Sequence, residues 1–109
     1  SRIFHSGKTR ARQTADIFSV HLKPSAGISE IGAMKPYDEV TVIVPGLDPA
    51  LNTMYVGHLP FLERLVSYLI TGSQDKPVIR FQTGGMVCLD RVERHHPWHI
   101  KWALMPKMV

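Results

Sequence analysis

The stretch Leu51–Tyr68, LNTMYVGHLPFLERLVSY, constrains the fold of this chain more than any other. Met54, Tyr55 and Val56 form a short continuous apolar run of the kind a buried α/β strand needs. Gly57 frees the backbone to turn, and Leu62, Leu65, Val66 and Leu69 then recur at helical spacing. The sequence therefore reads as strand, turn, helix, with Pro60 expected in the first helical turn and Gly72 closing the helix in the left-handed conformation. His58 falls just beyond the carboxyl end of the strand, where open α/β sheets bind their ligands. A helix N-terminus facing the same crevice favours an anion.

The rest of the chain supplies partners for that unit. Arg2–His5 is a second short strand running directly into Ser6-Gly7. Ala11, Ala15, Phe18 and Leu22 then mark an amphipathic helix over Lys8–Leu22, which Lys23-Pro24 ends. Ser25–Lys35 reads as loop with one extended piece near Ile28. Pro36 is placed to open a short helix over Tyr37–Val44, but the β-branched run Val40–Val44 argues for a strand instead, and Pro45-Gly46 and Asp48-Pro49 punctuate the connection that follows. Val78–Leu89 is expected to be largely extended, with Gly84-Gly85 marking a bulge or a close backbone approach. Trp98–Leu104 is a further strand, joined to it as a hairpin through Asp90–Pro97. Together these elements predict a single α/β domain over residues 1–109, in three layers around a mixed, mostly parallel central sheet.

Composition narrows the function classes. A net charge of +4 suits an anionic substrate or partner, while no basic run interleaved with aromatics marks a nucleic-acid stripe. The single cysteine, Cys88, rules out an internal disulfide framework and a cysteine-based zinc site, which points to a reducing compartment. No apolar stretch approaches the roughly 20 residues of a membrane span.

Ser6-Gly7-Lys8-Thr9 has the ending of a phosphate-binding P-loop, but Arg2 stands where the first glycine of that loop is required. Without it the backbone amides cannot wrap a nucleotide phosphate, so no nucleotide cofactor is expected. Arg10 lies in the first turn of a helix that starts at the sheet edge, where its planar fork suits a phosphate; Arg12, two residues on, cannot face the same way. His95, His96 and His99 lack a neighbouring carboxylate pair, and Pro97 breaks any helix that would align them. No metal is expected there.

Taken together, Ser6-x-x-x-Arg10-Ala11-Arg12-Gln13-Thr14-Ala15 and Val56-Gly57-His58-Leu59-Pro60 resemble the motifs of the histidine phosphatase superfamily. The compact connection between them and the Trp102-x-Leu104-x-Pro106 ending look like its SixA-type phosphohistidine phosphatase branch. The resemblance implies a phosphoglycerate mutase-like fold and removal of phosphate through a covalent phosphohistidine intermediate, without cofactor or metal. It implies a phosphate-binding role for Arg10 and a catalytic, oxygen-contacting role for His58. The implied partner is a phosphorylated histidine phosphotransfer protein in cytoplasmic signal transduction. Glu30 is a weak match for a proton donor to the leaving group.

Two departures accompany the resemblance. His5-Ser6-Gly7 stands where such proteins tend to carry Ser-Ser-Pro, and the Arg-His-Gly segment that supplies the nucleophilic histidine is absent. Arg94-His95 is followed by His96 and lies between two late strands, so it does not take that role. The expectation is a chain whose first family strand and helix lie upstream of Ser1. A small-molecule phosphomonoesterase, or a non-catalytic phosphate-binding module, are the alternatives.

Overall fold

Parallel pairing dictates the arrangement of the first half. In a computed structural model, which describes residues 1–93 and 97–106, β1 (Arg2–His5) lies between β2 (Ile28–Glu30) and β3 (Thr53–Val56), parallel to both. Ile3 aligns with Ile28 and Met54, and His5 with Glu30 and Val56, so the three carboxyl ends share one edge. β1 is the buried middle strand: Ile3 and His5 point to one face and are buried, whereas all of β3 is half-buried. The apolar Met54–Val56 run thus forms a border strand of this sheet. On the other face of β1, Phe4 stacks on its neighbour Tyr55 with centroids 5.5 Å apart, and the Arg2 guanidinium lies over the Phe4 ring. Burial pushes the Tyr55 hydroxyl pKa up.

Parallel strands need a crossover, and α1 (Thr9–Leu22) supplies the one between β1 and β2. It buries Ala11 and Ala15 as the periodicity predicts, but the stripe fades toward its end, where Leu22 is 56% exposed. Lys23 ends the helix in the left-handed region, returning its N–H to the Ser19 carbonyl, and Pro24 follows.

The strand expected over Val40–Val44 does not form. Three 3₁₀ turns occupy Val40–Val42, Val44–Gly46 and Pro49–Leu51 instead. Residues three apart in such a turn share a face, and Val40 and Ile43 are buried while Val42 is 64% exposed. Burying each such side chain is worth roughly 1.5–3 kcal/mol, more than the whole span of about 1 kcal/mol in β propensity. Asp48 caps the last turn by accepting the Ala50 N–H at 2.9 Å.

The chain divides into two compact units, residues 1–61 and 62–109. In the first, the largest fully buried side chains are Phe61, Ile3, Met34 and Val40. The second contains most of α2 (Phe61–Thr71), whose Leu65, Val66 and Leu69 are buried and whose end is closed by Gly72 at φ +82°, its N–H on the Tyr68 carbonyl. Pro60 precedes this helix and is not part of its first turn. The mixed central sheet gives way to a purely parallel sheet and a separate hairpin, because β4 (Met86–Asp90) and β5 (His99–Leu104) pair antiparallel with each other alone. Adjacent strands joined by a short connection satisfy their hydrogen bonds locally. The irregularity in this hairpin falls at Cys88/Leu89; Gly84-Gly85 is instead a close approach, the Gly85 N–H meeting the Gln82 carbonyl at 2.8 Å.

Candidate active site

The carboxyl edge of the parallel sheet brings together His5, Ser6, Glu30 and His58. β1 runs into a corner of three residues: Ser6, then Gly7 at φ +87°, then Lys8 in extended conformation immediately before α1. Positive φ at Gly7 favours glycine. The Glu30 side-chain end also lies where a Cβ would stand, 2.5 Å away at Oε1 and 2.6 Å at Cδ, and would have to move aside for one. The Gly7 N–H is bound by Nδ1 of buried His5 at 3.0 Å, so His5 holds the corner from within and uses that nitrogen as an acceptor.

His58 enters from the turn after β3. Its Nε2 lies 2.6 Å from the Ser6 hydroxyl, a contact between residues 52 apart in sequence. Burial pushes the His58 pKa below its ordinary value, and the charges of Lys8 and Arg10 push it the same way. A neutral imidazole has one accepting nitrogen and one N–H donor. In the tautomer whose Nε2 accepts from Ser6, the donor is Nδ1. Lys8 and Arg10 are themselves exposed, free to reach a ligand with little desolvation cost.

The residues singled out from sequence therefore meet in part. Arg10 and His58 belong to one electrostatic neighbourhood, and the Glu30 carboxylate reaches the same corner through Gly7. Arg12 is exposed on α1. His95 and His96 lie outside the described residues, while His99 pairs with Asp90 in the hairpin. Among the described residues no group of three His, Cys, Asp or Glu side chains is placed to hold a metal ion. Nor is any described helix long and apolar enough to cross a membrane. Sequence reasoning passed over Ser6, Lys8 and His5 as individual groups; the signal available was a hydroxyl, a glycine and a cation in immediate succession after a strand.

Chemically, the arrangement offers a hydroxyl, a neutral imidazole and two cations around one sheet edge, which suits a tetrahedral oxyanion. No family model, curated protein or solved structure matches this chain.

Proposed function

We propose that this edge binds a phosphoryl group and that the chain belongs to a phosphohistidine phosphatase of the histidine phosphatase type, with the phosphoglycerate mutase-like layering that such a fold implies. The observation that supports this best is the 2.6 Å contact between Ser6 and His58, which draws together the two motifs carrying the resemblance. In this reading the Arg10 fork takes two phosphoryl oxygens and His58 donates its Nδ1–H to a third. Lys8 adds positive charge at the helix start, where a phosphate is already favoured.

The reaction further requires a nucleophilic histidine from an Arg-His-Gly segment, which these 109 residues do not contain. A phosphohistidine substrate has a good leaving group, so a strong proton donor is not needed; Glu30 is the nearest carboxylate to the corner. The substrate is a phosphorylated histidine phosphotransfer protein in the cytoplasm, and no cofactor takes part.

The test is phosphate release from a phosphorylated histidine phosphotransfer domain by the gene's full polypeptide. Arg10→Ala and His58→Ala are each expected to slow release by roughly a hundredfold, the usual cost of removing a transition-state donor. Turnover unchanged in both variants removes these residues from the site. Binding of inorganic phosphate by the full polypeptide without any release favours the non-catalytic module.

A further inference from the structure

Ser6 occupies the strand-to-helix corner that follows the middle strand of a parallel sheet, at its carboxyl edge. One class of serine hydrolase, the α/β type, also carries its nucleophile between a strand and a helix at the carboxyl edge of a sheet, with the base arriving from another loop there; Ser6 shares that place, not the strained backbone of that turn. Here the base position is filled by His58 from the turn after β3, at 2.6 Å from Oγ, within the range over which a nucleophile and its base share a proton. We propose that Ser6 is a phosphoryl-accepting nucleophile with His58 as its general base.

Three observations support this beyond the contact itself. The corner is tied from within by buried His5, whose Nδ1 accepts the Gly7 N–H at 3.0 Å, and the Glu30 carboxylate lies beside it. Burial and the flanking cations keep the His58 ring unprotonated near neutral pH, leaving Nε2 able to accept a proton. Those same cations, Lys8 and Arg10, select an anionic phosphoryl donor and stabilise the charge gathering on its oxygens.

With phosphoramidate as donor the step balances. Oγ attacks phosphorus and forms an O–P bond, the P–N bond breaks, and its electron pair leaves on nitrogen. The Oγ proton passes to His58 Nε2 and then to the departing ammonia, so the products are phosphoserine and ammonium. This goes beyond the phosphatase reading, which places the phosphate on a histidine outside these residues. It needs only groups the chain itself carries.

The two differ in a property that is simple to read: phosphohistidine is lost in acid and phosphoserine survives it. The 109-residue chain is incubated with phosphoramidate, quenched in acid and mapped by tandem mass spectrometry. The expected result is phosphate on Ser6, absent from Ser6→Ala and formed roughly a hundredfold more slowly in His58→Gln, in line with loss of a general base. Should His58→Gln fail to fold by circular dichroism, the pH dependence of labelling in the unaltered chain replaces it, with the rate falling as His58 is protonated. A Ser6 free of acid-stable phosphate, or labelled at a rate indifferent to His58 or to its protonation, overturns the proposal. Ser6 labelling in a protein that leaves the phosphotransfer domain phosphorylated sinks the phosphatase reading alone. Phosphate on a histidine of the full polypeptide, mapped after an alkaline quench, with Ser6 unlabelled sinks this one alone.

Discussion

Two glycine corners in this molecule use the same backbone device for different ends. Gly7 stands between β1 and α1, and Gly85 stands just before β4; in each, an added Cβ would meet a side chain from elsewhere in its own unit. At Gly7 the obstacle is the Glu30 carboxylate, and the residues on either side are a hydroxyl bound to an imidazole and an exposed cation. At Gly85 the obstacles are the Met105 sulfur and the Gln82 carbonyl. A close backbone approach thus serves packing in one place and gathers polar, titratable groups in the other. What separates the two is which side chains the neighbouring strand ends deliver, and the parallel sheet delivers them to a single edge.

Substituting each glycine by alanine tests that distinction. Gly7→Ala carries the larger effect, because of its positive φ, a conformation that alone costs about 1–3 kcal/mol, whereas the exposed end of Glu30 can move aside. A urea unfolding curve should register that loss, and phosphate binding followed by NMR should weaken with it, since Ser6 moves with the corner. Gly85→Ala is expected to cost about 1–2 kcal/mol by overpacking, the flexible Met105 end yielding part of the space. Its phosphate binding should match the unaltered chain. Equal weakening of phosphate binding by both substitutions would show that the corners are not separate in function.

The sequence made one kind of feature plain and hid another. Among the described residues, both helices, three of the strands and the hairpin were legible from local pattern, as with Leu65, Val66 and Leu69 on α2 or the extended run of β5; Ile28–Glu30 was read only as an extended piece within a loop, and of the extended run expected over Val78–Leu89 only the part from Met86 onward is strand. Val40–Val44 misled because β-branched residues report only a preference, and the preference gave way to burial of Val40 and Ile43 in a short helical turn. The border position of β3 was not legible either, since sheet order depends on which strands pair, and β1 lies between the other two. At the site, Arg10 and His58 were visible through motif spacing. The Ser6–His58 contact was not, because nothing in a linear chain records that residues 52 apart will share a hydrogen bond.

The smallest effect is also the most direct measure of the first corner. His58 has a folded-state pKa below its ordinary value of 6.5, from burial first, then Lys8, then Arg10. In the window between that lowered value and 6.5, the unfolded chain binds more protons than the folded one, so stability rises with pH there and declines as pH falls through it. Lys8→Met and Arg10→Gln should each raise the His58 pKa, the first more than the second, as read from the ring Cε1–H shift in an NMR titration. Because burial is the leading cause, the double variant should still titrate below 6.5. Inorganic phosphate should also raise it, since an anion between the cations offsets the charges that disfavour imidazolium. A His58 titration indifferent to both substitutions and to phosphate would separate the imidazole from the cations, leaving the Gly7 corner no more than the packing device seen at Gly85.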